Sequence, residues 1–239
     1  MIQADVEPSL GDFLPLYTIE EIQGTGDVQV LKEGNADWKN TKEGLTLEEG
    51  DRIRVGRGTE VILQLKDETI VHMDEDSELK ITQLSENESK GFLSRLKLLV
   101  GSILSDVKKN LPDTHSSFEV ESGGVVCGVR GTVFEVAKTG DNVETTTHEG
   151  VVDVKSSQGT QSVTAGNSCT SSKSGGSSVH PSSAAMQARF QAWKKIRHHL
   201  SQKRAGKMGH SPRLGRSPSH GGGKGPGAGA PSHIGGGHR

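Results

Sequence analysis

The sequence predicts an all-β domain, followed by one basic amphipathic α-helix and a disordered tail. Short runs of alternating apolar and polar residues recur from residue 26 onward, with turn residues between them, as in meandering strands. In residues 182–205 the apolar period lengthens to that of a helix. Residues 206–239 are rich in glycine, proline, serine and histidine, and such a composition does not build a packed core.

Each predicted strand is an alternating or apolar run bounded by turn residues. Residues 91–110 fit either an amphipathic helix or a strand, and we favour a strand because Gly101 would weaken a helix interior. The predicted strands lie in residues 26–34, 46–73 (three strands), 77–84, 95–104, 117–122, 125–138, 142–156 and 160–166. The predicted segments are residues 1–23 (lead-in), 24–167 (β domain), 168–181 (Ser/Gly linker), 182–205 (helix) and 206–239 (tail).

The net charge of −2 conceals two regions of opposite sign. Residues 1–153 hold all 30 acidic residues and 15 of the 28 lysines and arginines, a balance of −15. Residues 154–239 hold the other 13 basic residues and no acidic one. This asymmetry indicates an acidic folded body and a basic arm, and a basic arm attracts anionic polymers or membranes.

The predicted helix carries an apolar stripe flanked by basic side chains. A serine after Pro181 provides the N-cap, and Gly206 is expected to end the helix. The stripe either docks on the body, near the acidic run at residues 74–78, or binds a membrane, a polymer or a partner groove. The candidate arm-binding residues are Arg189, Phe190, Trp193, Lys194, Lys195, Arg197, Lys203 and Arg204.

Two motifs and several single positions resemble the FecR domain, an all-β module of bacterial cell envelopes. The motifs are residues 50–53 (Gly-Asp-Arg-Ile) and residues 128–136 (Gly-Val-Arg-Gly-Thr-x-Phe-x-Val). Trp38, Gly101 and the pair Glu149-Gly150 also fall where the family pattern expects them. The resemblance covers roughly residues 24–167 and implies stacked, curved layers of strands without catalytic activity.

In iron-uptake regulators, such a domain lies outside the cytoplasmic membrane and relays a signal from an outer-membrane receptor to a sigma factor. This sequence shows neither a sigma-binding domain nor a membrane-spanning segment nor a leader peptide. We therefore expect a stand-alone scaffold with a protein or anionic envelope partner, placed outside the cytoplasm by resemblance. A cytoplasmic location is the alternative, and Cys127 and Cys169 could pair in an oxidising compartment or remain thiols.

Arg130 is the most unusual residue of the second motif. Counting the strand by twos places it on the same face as Phe134, so we expect it to point inward and to pair with Glu149 or Asp51. The alternative is an anion-binding arginine in a surface groove. The predicted structural motif residues are Gly50, Asp51, Gly128, Arg130, Gly131, Thr132, Phe134, Glu149 and Gly150.

No arrangement of residues typical of catalysis is visible. The sequence lacks nucleophile, zinc-protease, phosphate-loop and dinucleotide motifs, so we expect no catalytic, cofactor-binding or metal residues. The acidic run at residues 74–78 lacks the glycine of a calcium loop. Alternative functions are nucleic-acid or anionic-polymer binding by the arm, and weak metal binding by histidines of the tail, namely His210, His220, His233 and His238.

Overall fold

The computed structural model describes residues 16–65, 68–87, 91–108, 117–172 and 176–208. The chain divides into two compact units, residues 1–194 and residues 195–239, and the boundary falls within the helix. The described part is mostly β-strand with a single C-terminal helix, which confirms the predicted fold class. None of the described helical residues forms a segment long and apolar enough to cross a membrane.

The strands belong to two sheets, and successive strands pass repeatedly from one sheet to the other. Sheet 1 contains, in spatial order, β4 (Thr46–Leu47), β1 (Tyr17–Gly24), β6 (Thr59–Leu65), β7 (Ile70–Met73), the end of β9 (Gly91–Asp106), β12 (Val133–Thr139), β13 (Asn142–Glu149), β16 (Asn167–Ser172) and β17 (Ser177–Pro181). Sheet 2 contains β3 (Lys39–Asn40), β2 (Val28–Leu31), β5 (Arg52–Val55), β8 (Ser77–Asn87), the start of β9, β10 (Ser117–Ser122), β11 (Val125–Val129), β14 (Val151–Ser156) and β15 (Gly159–Thr164).

Strand β9 joins the two sheets because it bends at Gly101. Its first part pairs with β8 and β10 in sheet 2, and its last part pairs with β7 and β12 in sheet 1. Gly101 has φ +86°, and a Cβ atom at this position would lie 2.6 Å from the Cα of Ser77. Only glycine fits a backbone that is both left-handed and this close to a neighbouring strand.

The core lies between the two sheets. Phe118 on β10 meets Phe134 on β12 edge-to-face, with ring centroids 6.2 Å apart. The hydroxyl of Tyr17 on β1 hydrogen-bonds that of Ser94 on β9 at 2.7 Å. Cys127 and Cys169 are buried free thiols, and burial raises the pKa of Cys127 to about 12.

Two turns of the resembled motif carry the chain from one sheet to the other, and these two crossings touch each other. The chain passes from β11 in sheet 2 to β12 in sheet 1 through Arg130, Gly131 and Thr132, and it returns to sheet 2 at Gly150. Thr132 donates a hydrogen bond to the carbonyl of Val151 at 3.2 Å. Gly150 has φ +85°, and a Cβ there would lie 2.9 Å from the Thr132 hydroxyl. Each crossing therefore constrains the residue type of the other.

Three predicted boundaries are wrong. The lead-in contains β1, which lies between β4 and β6, and a bulge between Ile19 and Glu21 disturbs the alternation that would have indicated it. The predicted linker forms β16 and β17, because its serines and threonines pair with β13 and with each other. Helix α1 spans Ala184–Met208 and so continues through Gly206, whereas the predicted serine cap is present, with Ser183 Oγ accepting from the Met186 amide at 3.3 Å.

Candidate functional site

The first part of α1 covers a polar region on the outer face of sheet 1. Phe190 stacks on the imidazole of His148 on β13, with ring centroids 4.5 Å apart. Trp193 stacks on His72 on β7, with centroids 5.7 Å apart. Trp193 is only 1% exposed. This part of the predicted apolar stripe therefore packs on the domain.

Arg189 is the cation of this covered region. Its Nη2 donates to Asp74, and the same nitrogen lies 3.3 Å from Glu135 Oε1 and 3.3 Å from the Ser102 hydroxyl. Burial alone would lower the pKa of Arg189, but the carboxylates of Glu135 and Asp74 raise it overall. The guanidinium thus balances two carboxylates, that of Asp74 directly after β7 and that of Glu135 on β12, and α1 lies near the acidic run at Asp74.

Glu60 and His72 form a pair beside Arg189. His72 Nε2 and Glu60 Oε2 lie 2.9 Å apart. The hydrogen bond from His72 lowers the pKa of Glu60 despite its partial burial, and the charge of Arg189 acts in the same direction. Because the pKa of Glu60 is lower in the folded than in the unfolded protein, its interactions stabilise the fold at pH values above the ordinary pKa of a glutamate. This contribution to stability is lost as the pH falls through the lowered pKa.

Glu135 and His148 complete the helix-covered cluster, which we define as Glu60, His72, Asp74, Glu135, His148 and Arg189. Glu135 is 1% exposed, and its Oε1 lies 3.1 Å from the Ser102 hydroxyl that donates to it. Among the described residues, neither Glu135 Oε2 nor His148 Nε2 has a hydrogen-bond partner, and these two atoms are 3.8 Å apart. Four members on strands were missed in the sequence because their positions alternate as a solvent-facing side would, namely Glu60, His72, Glu135 and His148.

Asp51 organises the turn between β4 and β5. Its carboxylate is 2% exposed, and it accepts hydrogen bonds from Lys32 at 2.6 Å and from the amides of Glu33 and Glu48, each at 2.9 Å. Gly50, with φ +92°, brings the chain into this turn. Asp51 therefore joins the strand pair β2–β5 to the preceding loop.

Asp51→Asn is expected to lower the free energy of unfolding by about 2–3 kcal/mol, because a buried carboxylate loses charge-assisted hydrogen bonds. Denaturant melts of the variant and the parent measure the difference. Asp153→Asn is the matched control, since Asp153 is exposed and accepts one hydrogen bond from Ser162. Equal midpoints for the two variants would contradict a structural role for Asp51.

Arg130 does not point into the core, and the expected pairing with Asp51 is absent. Its side chain is exposed, as is that of Glu149. The reason is the crossing: β11 ends at Val129 and β12 begins at Val133, and Gly131 between them has φ +59°. The left-handed glycine breaks the alternation by twos, so Phe134 is buried while Arg130 is not. Gly128 lies within β11, and a Cβ atom there would meet nothing within 4 Å.

Arg130→Ala is expected to change the free energy of unfolding by less than about 0.5 kcal/mol, as exposed substitutions usually do. Gly131→Ala at the same crossing should cost about 1 kcal/mol or more, because alanine is strained at a positive φ. Denaturant melts of both variants measure the two free energies of unfolding. They thereby compare the contribution of the Arg130 side chain with that of the backbone conformation at Gly131. A large loss for Arg130→Ala would restore the architectural interpretation of this arginine.

A second surface lies on the outer side of sheet 2, and we call it the tryptophan–arginine surface. The guanidinium carbon of Arg54 lies 4.4 Å from the ring centroid of Trp38, and that of Arg52 lies 5.3 Å from it. Arg52 also pairs with Glu78 on the neighbouring strand. A half-exposed tryptophan between two arginines has the composition of a protein-binding hot spot.

The remaining arm candidates lie further along α1. The Lys194 ammonium lies 4.6 Å from the ring centroid of Phe190. Lys195 is exposed, and Arg197, Lys203 and Arg204 are half-buried residues of the helix. Their binding role stays a prediction, and the four histidines of the tail lie outside the described residues.

Comparison with known proteins identifies the module that contains Asp51 and both crossings between the sheets. Residues 51–153 match the family model described as FecR protein, a range that runs from Asp51 past both crossings between the sheets. This segment is a FecR domain. The resemblance inferred from the sequence motifs is thereby confirmed over that range.

Two solved structures of a suspected anti-sigma factor from Parabacteroides distasonis are similar to this chain at 18% sequence identity. One alignment covers 59% of this chain and 63% of that protein, with a TM-score of 0.48. The other covers 56% and 60%, with a TM-score of 0.47. The chain thus matches less than two thirds of the length of either structure, and no curated protein matches its sequence.

Proposed function

We propose that this protein is a non-enzymatic binding or signal-relay scaffold of the cell envelope, acting outside the cytoplasm. The observation that carries the proposal is the FecR domain at residues 51–153, a regulatory module. We assign no substrate, cofactor or reaction to the protein.

We place the partner contact on the tryptophan–arginine surface. Trp38 offers a flat amphipathic ring, and Arg52 and Arg54, two positions apart on β5, place their guanidinium groups against it. Tryptophan and arginine dominate binding energy in protein interfaces, and a ring held in place loses little entropy on binding. The partner is therefore a protein with an acidic or polar rim around an apolar pocket.

The test is site-specific crosslinking in cells of the source bacterium. A photo-reactive amino acid replaces Trp38 in one strain, and it replaces exposed Thr160 on β15 in the control strain. We expect one defined protein adduct from position 38 only, and protease treatment of spheroplasts should remove the tagged chain. Adducts of the same pattern from both positions would contradict the assigned surface. A chain that stays protected inside spheroplasts would contradict the envelope location.

A second candidate function is anionic-polymer or nucleic-acid binding by the basic arm. The exposed ammonium groups of Lys194 and Lys195 favour it, together with the charge balance of +13 for residues 154–239. Salt dependence separates the candidates, because polyanion affinity falls steeply with ionic strength while a protein interface changes far less. Binding of heparin that falls at least about a hundredfold between 50 and 200 mM salt would support the arm.

A further inference from the structure

Three side chains of the helix-covered cluster are arranged as ligands of a metal ion. Glu60 on β6, His72 on β7 and Asp74 directly after β7 each present one ligand atom, and these atoms all lie within 4.8 Å of one another. His72 Nε2 and Glu60 Oε2 are already 2.9 Å apart. Ligand atoms of a tetrahedral zinc ion lie about 3.4 Å apart, for bonds of about 2.0–2.1 Å. Small side-chain rotations therefore close the set around an ion.

A second observation is the excess of carboxylate charge at this place. Glu135 is 1% exposed and shares Arg189 with Asp74. Its Oε2 makes no hydrogen bond among the described residues, and it faces His148 Nε2 at 3.8 Å. A buried carboxylate oxygen without a hydrogen bond is costly. Arg189 brings one positive charge to a region where Glu60, Asp74 and Glu135 converge. A divalent ion balances such a group better than one guanidinium does.

We propose that Glu60, His72 and Asp74 form a binding site for a divalent transition-metal ion such as Zn²⁺, and that the ion competes with Arg189. One imidazole nitrogen with two carboxylate oxygens suits zinc and its neighbours better than calcium or magnesium, which prefer oxygen alone. The ion takes Asp74 from the guanidinium, so metal binding and the docking of Arg189 exclude each other. By linkage, removing Arg189 must strengthen metal binding.

This competition gives α1 a role independent of the proposed scaffold function. Arg189 is one residue before Phe190 and four before Trp193, which stacks on the metal ligand His72. An ion at His72 therefore changes both contacts that the first part of the helix makes around β7. The occupied site weakens the attachment of that part of α1, and the empty site restores it.

The test is a Zn²⁺ titration of the full chain by calorimetry, in a background where the four tail histidines are replaced by alanine. We expect one site, and we expect His72→Ala and Asp74→Asn to weaken it about tenfold or more. His180→Ala is the matched control, because this histidine lies on β17 and is outside the cluster. Bound Co²⁺ provides a second readout through its visible absorption, which a four-coordinate site intensifies.

Arg189→Gln separates the proposal from a loss of folding. Since the variant removes the competing cation, we expect Zn²⁺ to bind about tenfold more tightly, the reverse of what a damaged fold would give. Zinc affinity that is unchanged in His72→Ala and Asp74→Asn would overturn the proposal. An affinity that is unchanged or weaker in Arg189→Gln would overturn the competition.

Discussion

Gly101→Ala is expected to lower the free energy of unfolding by more than about 3 kcal/mol. Two costs add. Alanine is strained at φ +86°, and its Cβ would lie 2.6 Å from the Cα of Ser77, a backbone atom that cannot rotate away. Because Gly101 is the bend that lets β9 serve both sheets, relieving the clash would separate strands on either side of it.

Gly58→Ala is the matched control for the Gly101 substitution. Gly58 also has a positive φ, of +72°, but a Cβ there would meet nothing within 4 Å. The control variant should lose only the conformational strain, about 1 kcal/mol. Thermal melts followed by circular dichroism would measure both variants, and similar melting temperatures would show that β9 can bend without a glycine.

Trp193→Ala is expected to lower the free energy of unfolding by about 3–5 kcal/mol, as truncation of a buried tryptophan does. The residue is 1% exposed and stacks on His72, so its removal leaves a cavity above β7. Alanine is a better helix former than tryptophan, so a loss of helix propensity cannot explain the effect. Denaturant unfolding followed by far-UV circular dichroism measures it.

Trp38→Ala tests the same truncation at an exposed site. Trp38 is half-exposed and touches two arginines on the other sheet, and its loss should cost about 1 kcal/mol. If Trp193→Ala costs no more than Trp38→Ala, then α1 does not stabilise the domain, and the arm is a binding element alone. A clear excess for Trp193→Ala makes the start of α1 part of the folded unit.

The strands that could be predicted from the sequence are those with one apolar face. In β6, β10 and β12, the alternation of large apolar side chains follows directly from burial against the opposite sheet. Strands β16 and β17 lack this signal because small polar residues pair there, as Thr146 of β13 does with Ser168 at 2.7 Å. A polar ladder of this kind resembles a Ser/Gly linker in composition.

The candidate site could be predicted only in part, for a related reason. The Gly-Asp turn and the glycine of each crossing were evident, since backbone geometry restricts those positions to particular residue types. The direction of Arg130 was not, because one left-handed residue at Gly131 reverses the expected face. His72, His148 and Glu135 were missed because only tertiary structure tells that a helix covers their side of sheet 1.

In the β domain the strands of both sheets are stacked in nearly the order in which they occur along the chain. In both sheets the order follows the sequence closely, from β4 and β3 at one edge to β17 and β15 at the other, so each layer mainly contacts the layers next to it. Stacks of this kind lose their end layers first, and stability decreases from the middle outward. Helix α1 counters this, because it follows edge strand β17 and returns to β7 and β13. The first part of α1 thus packs on the middle strands β7 and β13. Unfolding of the edge at β17 must therefore first break the contacts of Phe190 and Trp193.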